Sequence, residues 1–178
     1  MTLRAAIVAS SDGPFDFIGG LPLHPLVVHV AVVVLPAAAL ALIVVALLPR
    51  VHWMLRWGVV AALAVGALSA WVAAESGEAL ADRVGEPEVH EELGENLPAI
   101  AAVTLAFSIV WGIIAELSAR ATRATAATES GAGPSRALLV LRIVISVAAV
   151  MMAAFAIYYT IMVGHSGAVA TWFPRVGG

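Results

Sequence analysis

The stretch Leu26–Leu48, LVVHVAVVVLPAAALALIVVALL, decides the fold of this chain. Its apolar character is interrupted only by His29 and Pro36. A helix of about 20 apolar residues, each rising about 1.5 Å, is long enough to cross a hydrocarbon core of roughly 30 Å. We therefore predict that this stretch is a transmembrane helix.

Three further runs without a charged side chain follow it, at Gly58–Ala74, Pro98–Ala115 and Ile143–Gly164. None shows the polar stripe that a helix of a soluble bundle would need. The composition agrees, because 62% of the residues are hydrophobic and 12% are charged, with a mean hydropathy of +1.00. Soluble domains carry about 25% charged residues.

The sequence therefore predicts an all-α integral membrane four-helix bundle. We expect a four-span membrane domain at residues 21–173, with spans at about 25–48, 57–75, 88–118 and 137–164. A loosely ordered tail, residues 1–20, precedes this domain, and a short tail, residues 174–178, follows it.

The distribution of arginine predicts the orientation of these spans. Six of the nine arginines lie in or beside the links between spans one and two and between spans three and four: Arg50, Arg56, Arg120, Arg123, Arg136 and Arg142. The link between spans two and three instead carries eight acidic residues: Glu75, Glu78, Asp82, Glu86, Glu88, Glu91, Glu92 and Glu95. The positive-inside rule places arginine-bearing links in the cytoplasm. We therefore expect a membrane protein with an N-out, C-out orientation.

Composition also argues against several classes of protein. The chain has no cysteine, which excludes disulfides, thiolate metal sites and covalent c-type haem attachment. A net charge of −3 and the absence of a basic patch on the outer face argue against a nucleic-acid partner.

The predicted topology places four of the five histidines at the outer face: His24, His29, His90 and His165. His52 falls on the other face. His29 is the most informative, because an ionisable side chain inside a membrane span is costly and usually functional. Imidazole is a common ligand of transition metals and of haem iron.

Two kinds of ligand suit these residues. The first is haem b, with His29 and either His90 or His165 as the axial pair and His24 at the mouth. Small residues would leave room for the ring (Gly66, Ala70 and Gly94), and Arg83 or Arg175 would meet the propionates.

The second kind of ligand is a divalent metal ion, held by His29, His90 and His165 together with carboxylates such as those of Glu75, Glu78 and Glu91. A purely structural role is a third alternative, in which His29 forms a hydrogen bond with a backbone carbonyl that Pro36 sets free.

Small residues recur at every fourth position along span two: Gly58, Ala62, Gly66, Ala70 and Ala74. This spacing forms one small-residue face, which allows another helix to approach closely. The face would serve an internal contact or a homo-oligomer.

Three motifs resemble one known family. LPLHPLVVH at Leu21–His29 resembles the opening signature of the domain-of-unknown-function 2231 family of small bacterial membrane proteins. HEELG at His90–Gly94 and GHSGA at Gly164–Ala168 are similar to its recurring elements, and the resemblance covers residues 20–173. It implies a small multi-pass protein of a bacterial plasma membrane but no particular activity.

Some members of that family are joined to Rieske iron–sulfur or cytochrome c modules, which implies an electron-transfer setting. We therefore expect an electron-transfer subunit, not an enzyme on its own, that exchanges electrons with a quinol or an external redox partner. The alternatives are a non-redox metal-binding or transport component and a structural subunit without a cofactor.

Overall fold

The computed structural model describes residues 13, 15–48, 52–84, 88–127 and 135–176. Within these ranges the chain forms two short strands and four helices. Their bounds are β1 Phe17–Ile18, β2 Leu21–Pro22, α1 Leu23–Leu47, α2 His52–Val84, α3 Glu88–Ala127 and α4 Arg136–Val176. All four helices are long and apolar enough to span a membrane, which confirms the predicted all-α four-helix membrane fold.

Strands β1 and β2 form an antiparallel hairpin just before α1, where the sequence had suggested a loosely ordered tail. Gly19 and Gly20 make the turn, with φ angles of 60° and 82°. Two-residue hairpin turns favour positive φ, which glycine adopts without steric cost. Gly19 and Gly20 therefore permit the tight turn of this hairpin.

The four helices form a bundle in which consecutive helices run antiparallel. Helix α1 packs against α2 and α4, α3 also packs against α2 and α4, and α1 and α3 therefore face each other across the diagonal. The starts of α1 and α3 lie beside the last turns of α2 and α4. We call this the histidine end, because it carries His24, His29, His90 and His165.

Apolar and polar side chains are distributed as lipid contact requires. Large apolar side chains point away from the bundle, with Leu68 60% exposed and Ile143 63% exposed. Small hydroxyl side chains lie inside it, and Thr104 and Ser108 are fully buried. Both donate hydrogen bonds to carbonyls of their own helix. Such small polar residues allow close helix packing without leaving unpaired groups in hydrocarbon.

A buried ion pair joins α2 and α3 at the end opposite the histidines. The sequence had placed Arg56 in the link between spans one and two, but α2 begins at His52, and Arg56 lies one turn inside it. Its side chain is 4% exposed and pairs with Glu116 of α3. Arg120 holds the other carboxylate oxygen of Glu116 at 2.8 Å. The pair ties two spans together, because either charge alone would be costly in the bilayer.

The small-residue face of α2 is used inside the chain at Gly66. A Cβ atom added at Gly66 would lie only 2.9 Å from the Cα atom of Leu35 in α1. Gly66 is buried, whereas Gly58 is exposed and would have nothing within 4 Å of an added Cβ. Gly66 therefore sets how closely α1 and α2 approach each other.

We expect Gly66→Ala to destabilise the bundle, because its added methyl group would push against the Leu35 backbone. Overpacking of this kind costs about 1–3 kcal/mol. Gly58→Ala is the matched control and should be neutral or slightly stabilising, because alanine favours helices over glycine by about 1 kcal/mol. Unfolding by SDS titration in mixed micelles measures both. Equal unfolding midpoints for the two variants would contradict a close contact at Gly66.

Candidate functional site

A cavity of about 920 Å³ opens at the histidine end, and all four helices line it. Its floor consists of buried apolar side chains, among them Ala70, Leu97 and Val163. Its rim carries three exposed carboxylates, those of Glu78, Glu91 and Glu95. The volume falls within the roughly 300–1,000 Å³ of small-molecule and cofactor sites.

The cavity exists because small residues line it. Alanine and glycine are the most frequent residues on its walls, and they include Ala70 and Gly94, which the sequence analysis had expected to leave room for a ligand. Gly66 does not line the cavity, because its contact with Leu35 in α1 already fills that space.

His24 begins α1 and lies against α2. Its Nδ1 atom is 2.8 Å from the carbonyl oxygen of Ala73 and 3.5 Å from the Ser76 hydroxyl. A carbonyl only accepts hydrogen bonds, so Nδ1 must carry the proton. The ring packs over Gly77, where an added Cβ would lie 3.1 Å from Cε1 of the imidazole.

His90, near the start of α3, lies against α4 in a similar way. Its Nδ1 atom is 3.0 Å from the Ser166 hydroxyl oxygen. Ser166 donates its own proton to the carbonyl of Val163 at 2.8 Å, so its oxygen accepts the proton of His90 Nδ1. The ring packs over Gly167, where an added Cβ would lie 2.9 Å from Cε1.

His29 lines the same cavity but is held by its own helix. Its Nδ1 atom forms a hydrogen bond with the carbonyl of Pro25, one turn earlier, which again assigns the proton to Nδ1. The side chain is exposed on the surface of the bundle. Its hydrogen bond therefore fixes the ring without help from another helix.

The three rings share one chemical state when neutral. In each, Nδ1 is protonated and donates to a protein oxygen, so Nε2 keeps its lone pair. Nε2 of these rings has no hydrogen-bond partner in the described part of the chain. Histidines that bind metals typically have this arrangement, with the second nitrogen donating to a carbonyl or a similar acceptor.

His165 is placed differently from the other three. It is exposed and does not line the main cavity. Together with Met162 and Val169 it lines a smaller cavity of about 430 Å³, of which His90 also forms part of the wall. The side chains of His52, Arg83 and Arg175 lie outside the described part of the structure, including the two arginines considered for the propionates.

The carboxylates near the histidines do not complete a compact metal site. Among the residues that the structure describes, no three histidine, aspartate or glutamate side chains are close enough together to hold a metal ion. The imidazoles instead surround a large apolar space. Such an arrangement suits a ligand that spans the cavity and supplies most of its own metal donors.

The fold and the cavity together define a polytopic membrane protein in which three histidines line a cavity at one end of the bundle. The family described as "Predicted membrane protein (DUF2231)" matches residues 20–178. The chain belongs to that family, as its motifs had suggested. Neither the curated proteins nor the solved structures contain a significant match.

Four residues that hold the imidazoles carry no recognisable role in the sequence alone: Ser76, Gly77, Ser166 and Gly167. A signal was present, because a Ser-Gly pair occurs near the end of span two and again after span four. Its meaning depends on which side chain faces which helix, and only the packed structure shows that Gly77 and Gly167 lie under the two rings.

We expect Gly167→Ala to displace the His90 ring, because the added methyl group would lie 2.9 Å from its Cε1 atom. The displaced imidazole should react several-fold faster with diethylpyrocarbonate, measured by mass spectrometry of the labelled peptide. Gly164→Ala is the matched control on the same helix, since an added Cβ there has nothing within 4 Å. The same acceleration in both variants would contradict the contact.

Proposed function

We propose that the cavity binds haem b through imidazole ligands and that the protein is an electron-transfer subunit of a bacterial plasma membrane. One observation carries the proposal: three histidines with protonated Nδ1 and available Nε2 line a single apolar cavity. Haem iron takes axial imidazoles in this tautomer, and apolar surroundings exclude water from the iron.

Haem suits this cavity better than a bare metal ion does. A protein that binds a divalent ion must supply most of the ligands itself, typically four around zinc. Haem supplies four pyrrole nitrogens itself, so the protein needs to provide only one or two ligands. The described residues offer three imidazoles on the cavity wall and no group of three close ligands, which favours the cofactor with its own donors.

Haem would supply one-electron chemistry between ferric and ferrous iron, and the protein would position and insulate it. We place the histidine end on the outer face, because the arginine-bearing links lie at the other end of the bundle. The site would then exchange electrons with a quinol in the outer leaflet or with an external redox partner.

A non-redox metal-binding or transport role is the second candidate, and the rim of the cavity favours it. Glu78, Glu91 and Glu95 are exposed carboxylates beside the imidazoles. They would raise the local concentration of cations at the mouth. A weakly bound cation passing between carboxylates and imidazoles needs no permanent three-ligand site.

The absorption spectrum of the full-length protein, purified from cells supplied with a haem precursor, separates these roles. We expect a Soret band and an α band that sharpens on reduction with dithionite. We also expect the haem to be stoichiometric with the protein. A colourless protein with stoichiometric zinc or copper would overturn the haem proposal and support the second candidate. A colourless, metal-free protein would overturn both and leave a structural role.

A further inference from the structure

The chain contains the same support for an imidazole twice, once in each helical hairpin. In the α1–α2 hairpin, His24 of α1 lies against Ser76 and Gly77 of α2. In the α3–α4 hairpin, His90 of α3 lies against a Ser-Gly pair of α4, Ser166 and Gly167. We call each set of histidine, serine and glycine an imidazole cradle.

The two cradles agree in their hydrogen bonds. In each, the serine hydroxyl donates to the carbonyl three residues earlier, at 3.1 Å from Ser76 to Ala73 and at 2.8 Å from Ser166 to Val163. In each, Nδ1 of the histidine faces the serine oxygen, and the proton lies on Nδ1. They differ in the main acceptor, which is the Ala73 carbonyl for His24 and the serine hydroxyl for His90.

The two hairpins also resemble each other deeper in the bundle, where buried residues lie at matching distances along the chain from each cradle. Three turns beyond each histidine lies a fully buried residue, Leu35 in α1 and Ala101 in α3. Ten residues before each serine lies a small buried residue, Gly66 in α2 and Ala156 in α4. The two hairpins therefore use the same register between their helices, although their sequences differ.

His29 and His165 have no such support. His29 forms its hydrogen bond within its own helix and is exposed, and His165 is exposed outside the main cavity. Among the histidines whose side chains the structure describes, only His24 and His90 are each fixed between two helices. Because α1 and α3 lie across the diagonal of the bundle, these two rings approach the cavity from opposite sides.

We infer that the two hairpins form a repeated clamp in which His24 and His90 ligate the two faces of one haem, with Ser76, Gly77, Ser166 and Gly167 as positioning residues. This inference rests on the proposed function, because it requires a haem in the cavity. It replaces the pair expected from sequence, His29 with His90 or His165, by a pair from equivalent places in the two hairpins.

The clamp also defines what the site can do. Because both protein ligands would be imidazoles, a haem held by His24 and His90 would be low-spin and would offer no free position to oxygen or carbon monoxide. The site would then exchange electrons only and would not bind or activate a gas. Quinol or protein partners would deliver electrons to the edge of the haem without reaching the iron.

Electron paramagnetic resonance and carbon monoxide binding of the haem-loaded, full-length protein test the clamp. We expect a low-spin ferric signal and no carbon monoxide adduct in the wild type. His24→Ala and His90→Ala should each become high-spin and bind carbon monoxide. His165→Ala removes an exposed imidazole outside the main cavity and is the matched control, which should keep the low-spin signal. His29→Ala removes the third imidazole of the cavity and tests whether that ring is a ligand instead. Imidazole added to the His90→Gly protein should restore the low-spin signal. Such a rescue would show that the variant has lost a ligand and has kept its fold.

Ser166→Ala tests positioning separately from ligation. It removes the oxygen that accepts the Nδ1 proton of His90, so Nε2 of that ring becomes less basic. A less basic ligand stabilises ferric iron less. The midpoint potential should therefore rise while haem content stays unchanged. A merely structural serine would change haem content or stability without this shift.

The outcomes distinguish the two proposals. Bound haem with an unchanged low-spin signal in His24→Ala would overturn the clamp and leave the haem proposal standing. Loss of the low-spin signal in His29→Ala would likewise overturn it. A wild-type protein that binds no haem would overturn the proposed function and, with it, the clamp.

Discussion

The hydrogen bond from each imidazole Nδ1 to a protein oxygen is the interaction on which the rest of this account depends. Hydrocarbon offers no partner for a polar group, so a polar group within the bundle must find one inside the protein. Serine and threonine hydroxyls solve this by bonding to their own helix, as Thr104 does. The histidines follow the same rule with one nitrogen, and this leaves the other free to bind a ligand.

Glycine makes this arrangement possible in a bundle of closely packed helices. An imidazole occupies far more space than the many alanines of the core, so it fits between closely packed helices where the facing residue has no side chain. Gly77 and Gly167 provide that space under His24 and His90. The ring is then held by a close contact below and a hydrogen bond at its side, which together limit its rotation.

The helices could be predicted from sequence because burial in lipid requires only length and apolar character, and both are visible in a run such as Leu26–Leu48. Contacts within the bundle could not be predicted in the same way. Since almost every side chain of a span is apolar, the sequence does not show which face turns inward. The buried position of Arg56, its pairing with Glu116 and the cradles around His24 and His90 all depend on that rotation.

The tautomeric state of each histidine reports directly on its Nδ1 hydrogen bond. Nitrogen-15 NMR of histidine-labelled protein in lipid bilayers, assigned with His→Gln variants, distinguishes protonated from unprotonated ring nitrogens at each site. The observed hydrogen bonding predicts that neutral His24, His29 and His90 carry their proton on Nδ1 and have an unprotonated Nε2. Protonation of Nε2 in His24 or His90 would contradict it, because neither ring could then present a lone pair to a metal from its observed position.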